Sequence, residues 1–206
     1  FLIFINSIAF SQAYFQHYKK GETAFKGEDY TAAIDEFSKV IELKPDHDRA
    51  LNYRGVTYEK KELYDKAILD LKEATKLKEK EAEYHANLGR VYYKAKKYTE
   101  ALASLTIAID RDKKLMDAYN YKVYSHIALN QYPAAVETAE AAVLKEKSGK
   151  SYYNLGVAQD SLMKYKEAAY SFSRAVFYEP KMTEAYIGMA FSNMKLNDYV
   201  KALEAA

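Results

Sequence analysis

The stretch GKSYYNLGVAQDSLMKYKEAAYSFSRAVFYEPKM, residues 149–182, carries the clearest statement of the fold. Its marker residues are Tyr152, Leu155-Gly156, Tyr165, Ala168, Phe172, Ala175 and Pro180. Working outward from Tyr165, tyrosine returns at 30, 64, 98, 132 and 199, in steps of 34, 34, 34, 33 and 34 along the whole set. Three residues after each stands Ala33, Ala67, Ala101, Ala135, Ala168 or Ala202. Gly21, Gly55, Gly89 and Gly156 keep the same frame. A fixed period of this length is the signature of a repeat architecture, in which each unit buries its apolar face against the next.

Each period holds two helical stripes. In residues 82–115, His85, Leu88, Gly89 and Tyr92 fall at i, i+3, i+4 and i+7, one face of a helix. Tyr98, Ala101, Leu105 and Ala108 form a second stripe, with Lys96-Lys97 as a short turn between them. Two antiparallel helices of about a dozen residues cannot bury both apolar faces alone, so the next pair supplies the missing partner. Gly89 and Ala101 are expected where the two helices come closest.

Composition agrees. Apolar residues make up 49% of the 206 and charged residues 29%, a balance suited to a folded, water-soluble chain. Seven Gly and three Pro (Pro45, Pro133, Pro180) are too few for an all-β chain of tight turns. Thirty-one basic against 29 acidic residues leave a formal charge of +2, no field for binding phosphates, and no nucleic-acid partner is expected. With no Cys there is neither a disulfide, nor a thiolate metal site, nor a cysteine nucleophile.

The recurring large residue, Leu-Gly, Tyr, Ala, an aromatic or Leu, and final Pro resemble the tetratricopeptide repeat. The resemblance covers residues 14–206 as five full repeats (14–47, 48–81, 82–115, 116–148, 149–182) and a shortened sixth (183–206). It implies an all-α fold, a right-handed α-solenoid of stacked antiparallel helix pairs. It also implies a protein–protein interaction scaffold without catalysis or cofactor, holding a peptide or protein segment along the concave face that the first helices line. Carried over to this chain, that face comprises Asn52, Tyr53, Val56 and Glu59; Asn87, Arg90 and Tyr93; Asn120, Tyr121, Tyr124 and Ile127; and Tyr153, Asn154 and Val157. There Asn is expected to offer donor and acceptor to a peptide backbone, Tyr to supply amphipathic contact area, and Arg90 to fork a carboxylate.

The chain departs from the family pattern in several places. The opening Trp is replaced by His17, Leu51, His85, Tyr119, Tyr152 and Tyr186. The fourth repeat has Val123 in the Gly place and is one residue short; its end predicts an early helix stop, with Gly149 near a left-handed cap. Pro133 falls in the first turn of a helix, where a missing N–H costs little. Family members that grip the carboxylate tail of chaperones share a clamp of Lys, Asn, Asn, Lys and Arg; here Tyr18 and Glu22 stand in the first repeat's clamp positions and Tyr53 replaces Asn, so that mode is not expected.

Nothing else suggests catalysis. His17, His47, His85 and His126 form no His-x-x-x-His pair. Asp35-Glu36 reads as a solvated face rather than a converging carboxylate pair. Ser148-Gly149-Lys150-Ser151 lacks the leading Gly and the strand of a phosphate loop and reads as a turn between helices. No small-molecule substrate is expected; self-association through the array ends is the second expectation for a partner. A structural or assembly subunit, or the input region of a larger signalling protein, are the alternative functions.

Residues 1–13 run apolar and end in Ser11-Gln12-Ala13, the layout of a partial secretory signal with its cleavage site, too short to span a bilayer. A periplasmic or secreted location follows from that reading. A cytoplasmic one follows if the stretch is instead a capping helix.

Overall fold

A computed structural model describes residues 2–197. Among them eleven helices follow one another: α1 Leu2–Lys26, α2 Tyr30–Leu43, α3 Asp48–Lys60, α4 Tyr64–Leu77, α5 Ala82–Lys94, α6 Tyr98–Arg111, α7 Met116–Ala128, α8 Tyr132–Lys145, α9 Gly149–Ser161, α10 Tyr165–Tyr178 and α11 Thr183–Lys195. No strand occurs among the described residues. Tyr199 and Ala202 of the sixth repeat lie outside them. The apolar stretch read at 1–13 enters α1 at Leu2, and the helix runs on without interruption to Lys26. No helix among the described residues is long and apolar enough to cross a membrane.

The chain forms two compact bodies, one ending at Lys97 and the other starting at Tyr98. In the first, α1 pairs with α2, α3 with α4, and α5 packs on α4. In the second, α7 pairs with α8 and α9 with α10, flanked by α6 and α11. Within each body a first helix also touches the next first helix: α1 with α3, α3 with α5, α7 with α9, α9 with α11. The turn after each first helix passes through one residue with φ of 57° to 60°: Glu28, Glu62, Lys96, Asn130, Met163 and Asn197. That left-handed conformation crowds a Cβ, and only the two Asn are residues that tolerate it well.

A contact between the helices of a pair sets their separation. A Cβ on Gly21 would lie 2.7 Å from the Phe37 ring, one on Gly55 2.7 Å from Leu71 Cγ, and one on Gly156 2.7 Å from the Phe172 ring. Each large side chain sits sixteen residues beyond its glycine and is almost fully buried. Phe37 is covered on its other side by Tyr53, stacked at 5.4 Å, and Phe172 by Gly188. The fourth repeat inverts the volumes: Val123 takes the glycine place and Ala139 the large place, and the two share one buried cluster with Ala135 and Leu155. The repeat alanines Ala33, Ala67, Ala101, Ala135 and Ala168 are all fully buried, and their partner tyrosines are all half-buried.

The fourth repeat corrects one expectation. Its second helix does not stop early: α8 has 14 residues, like α6 and α10, and the missing residue comes from the connection 146–148. Gly149 is no left-handed cap either, since no described glycine has a positive φ. It opens α9, where a Cβ would meet Glu179 Cβ at 2.6 Å. Ser148 caps that helix in a capping box with Ser151, which needs a short chain entry and no glycine conformation. Pro133 does lie in the first turn of α8.

Capping elsewhere is by Asp29, which accepts from the Ala32 N–H, and by His47, whose Nδ1 accepts from the Ala50 N–H at 3.1 Å. An imidazole can accept there only when Nδ1 carries no proton. Rings of Tyr14 and Tyr18 face His47 from α1, Lys44 precedes it, and Asp48 and Arg49 follow. Burial first, then Lys44 and more weakly Arg49, hold its pKa below the ordinary value, against the opposing pull of Asp48.

Three outcomes are expected. Ala139→Phe alone should overpack the fourth repeat and destabilise it by about 1–3 kcal/mol, and Val123→Gly added to it should recover most of the loss, a coupling readable in a urea-denaturation double-mutant cycle. Met163→Gly removes an exposed side chain from a φ of 60° and should raise the thermal midpoint, by roughly 0.5–1 kcal/mol of stability. For His47 the folded pKa is depressed, so its contribution is complete above the unfolded value near 6.5 and is lost as pH falls through the folded pKa. Urea midpoints of the wild type should therefore decline below that value more steeply than those of His47→Asn, which keeps a capping acceptor without a proton switch.

Candidate functional site

The first helices position the residues expected to line a binding face. Every thirty-fourth residue returns to one place, so that Glu22, Val56 and Arg90 follow one another across α1, α3 and α5. In the first body these helices enclose an open cavity of about 570 Å³, walled by Tyr18, Phe25, Tyr53 and Tyr84 and floored by Asn52, Asn87 and Val56. In the second body Tyr153, Val157 and Asp160 of α9 face Ile187 and Phe191 of α11 across a smaller cavity of about 270 Å³. Burial raises the Asp160 carboxyl above its usual range, against a hydrogen bond from Ser192 and the nearby Lys195.

The asparagines bond to one another across successive first helices. Asn87 Nδ2 donates to Asn52 Oδ1 at 3.0 Å, and both residues are buried. In the second body Asn154 Nδ2 donates to Asn120 Oδ1, Asn120 Nδ2 donates to Asp117, and the Tyr124 hydroxyl donates to Asn154 Oδ1 at 2.6 Å. The carboxamides thus link one first helix to the next, 34 or 35 residues on, and form the floor of the face. A buried amide that is left unmatched costs roughly 1–3 kcal/mol, so these positions are held by the array itself.

Arg90 is committed in the same way. Its Nε and Nη2 fork Glu59 at 3.0 and 2.7 Å, and Lys94 Nζ reaches the same carboxylate at 2.8 Å. The Glu59 side chain is only 2% exposed. Burial alone would raise its pKa, but the bonds from Arg90 and then Lys94 prevail and hold it below the usual carboxylate range. The expected carboxylate fork exists, therefore, with a partner inside the chain. Tyr53 is half-buried, edge-on to Tyr18 and Phe25 and stacked on Phe37. Val56, Tyr93, Tyr121, Tyr124, Ile127, Tyr153 and Val157 are half-buried on their first helices.

Sequence reading overlooked a second set of ion pairs. Arg54 donates to both Asp70 oxygens, at 2.7 and 2.8 Å, and to Ser38 at 3.0 Å, so that one guanidinium ties α3 to α4 and α2. Arg54 and Asp70 are sixteen residues apart, the same separation as Gly55 and Leu71, and that offset was the signal available. Glu36, read as solvated, accepts from Lys39 at 2.6 Å and meets His17 Nδ1 at 2.7 Å. The remaining histidines serve local roles: His85 meets the Glu79 carbonyl and His126 the Gln131 side chain. Among the described residues no group of His, Cys, Asp and Glu could hold a metal ion.

A sequence profile of the tetratricopeptide repeat matches residues 18–82, 62–115 and 122–186, well over half of the chain. No curated protein matches the sequence. Among solved structures, the MamA protein is similar over 83% of this chain and 94% of its own, with a TM-score of 0.75 and 24% identity. A tetratricopeptide repeat protein from Parabacteroides merdae covers 94% of this chain and 77% of its own, with a TM-score of 0.80 and 16% identity. YrrB, described as a TPR protein with an unusual peptide-binding site, covers 86% and 95%, with a TM-score of 0.71 and 18% identity. These likenesses bear on fold alone, and they agree with the all-α solenoid class that the helix pairs display. With the profile matches and the shared environment of its repeat tyrosines and alanines, the chain belongs to the tetratricopeptide repeat family.

Proposed function

We propose that the chain is a non-catalytic scaffold that holds a peptide or protein segment against its first helices. One observation carries this reading. Residues of α1, α3 and α5, with Glu22, Val56 and Arg90 among them at the repeat period, line one open cavity with volume for several side chains of a partner. Its floor is made rigid by the Asn52–Asn87 bond and by the Arg90–Glu59 fork, so little conformational freedom remains to be lost on binding. Aromatic walls provide amphipathic area at small entropic cost. The peptide-binding site named for YrrB, a protein of like fold, supports the same use here.

Specificity on this view comes from the walls and rim, not from the asparagine floor. Phage display of random peptides on the immobilised chain, followed by hydrogen exchange with a selected peptide, tests it. Protection is expected on α3 and α5, or on α9 and α11. Val56→Asp should weaken peptides selected for the first body by about tenfold or more in the folded protein, with some fall in the melting midpoint because Val56 also packs on the core. Protection confined to the second helices, such as α2 and α4, would remove the first-helix face from the account.

A further inference from the structure

The charges around the first body's cavity are unequal in what is left available. Of the cationic groups that line it, Arg90 is forked by Glu59, as described above. Arg49 is exposed and makes no ion pair among the described residues. Against it stand three carboxylates on the rim. Glu81 and Glu83 are exposed and likewise make no ion pair among the described residues. Glu22 pairs with Lys19 at i,i+3 on the surface of α1 and also stands against the Tyr18 hydroxyl. Such a surface pair is weak, worth well under about 1 kcal/mol, and is readily exchanged for another cation.

The phenols of the cavity register this field. Burial first, then Glu22, push the Tyr18 hydroxyl far above its ordinary pKa. Tyr84 is raised by burial, by its hydrogen bond to Asp48 at 2.8 Å and by Glu81, with Arg49 acting against it. Burial is the larger cause of both shifts, and the carboxylates beside these rings add to it.

Resting on the first-helix reading above, we propose that the first body's cavity takes a partner segment bearing lysine or arginine, its cationic group drawn to the rim of Glu22, Glu81 and Glu83. The apolar stem of such a side chain lies along aromatic wall and Val56, and the charged end stays at the wet rim. Arg49 lets one acidic residue of the same segment settle nearby, but it is outnumbered. A polyanion or an acidic tail meets net repulsion here. Because the rim is exposed, the charge preference acts mainly through steering and fades as salt screens it.

The test uses the full chain and two fluorescein-labelled synthetic peptide pools. The pools share length and apolar content and carry either Lys/Arg or Asp/Glu at the same positions. In fluorescence anisotropy at low salt, the basic pool should bind about tenfold tighter, with the advantage shrinking as salt is raised. The double variant Glu81→Gln, Glu83→Gln should lose most of that advantage at an unchanged melting midpoint, and Arg49→Gln should widen it. If both pools bind equally, or the acidic pool binds better, the proposal fails while the first-helix reading stands. If the double variant keeps the full preference, the rim is not its source and the proposal is overturned. If neither pool binds the chain at all, both readings fall together.

Discussion

The spacing between the two helices of a repeat depends on a hydrogen atom in place of a side chain. Where Gly21, Gly55 and Gly156 meet Phe37, Leu71 and Phe172, the backbone of one helix rests directly on a large buried group of the next. Close-packed interiors tolerate little change in volume, so this one contact fixes the separation of the pair. In the same three pairs the repeat alanines Ala33, Ala67 and Ala168 are fully buried. Tyr53 and Gly188, arriving from the following repeat, then close over the same aromatic rings.

Polar groups do a different job. Asn52 with Asn87 and Asn120 with Asn154 join one first helix to the next, and Arg54 with Asp70 joins the two helices of one pair, where water has little access. Their net contribution to stability is modest, since each was solvated before folding, but an incorrect register would leave them unmatched at higher cost. They favour one arrangement over its neighbours. On the proposed binding reading, the first-helix face takes its rigidity from these residues and its selectivity from others on the rim.

The period, the two stripes per repeat and the glycine frame were legible because they depend on residue type at fixed spacing, which a sequence displays directly. Val123 was visible as an exception, but its meaning was not, because that required seeing Ala139 opposite it as the compensating change. The asparagines stood at plausible face positions, yet a side chain's position does not tell which way its amide points. Only the proximity of Asn52 and Asn87 shows that they satisfy each other. The shortened fourth repeat misled for a related reason. A deletion can be absorbed by a helix or by a connection, and Ser148 with its capping box made the connection the easier place. Glu59 and Arg90 were both on the inner face as read, and the structure adds that they are partners.

The inverted volumes of the fourth repeat have an effect on assembly. An array of similar hairpins has many near-equivalent ways to mate, and a first helix that docked on the second helix of the wrong hairpin would satisfy most of the same pattern. Val123 breaks that degeneracy. Placed against Phe172 in place of Ala139, it would meet a ring where only a glycine leaves room, and Gly156 placed against Ala139 would leave a hole. The fourth hairpin is thus a tooth of a different shape, whose two helices fit each other and would fit those of the fifth hairpin badly.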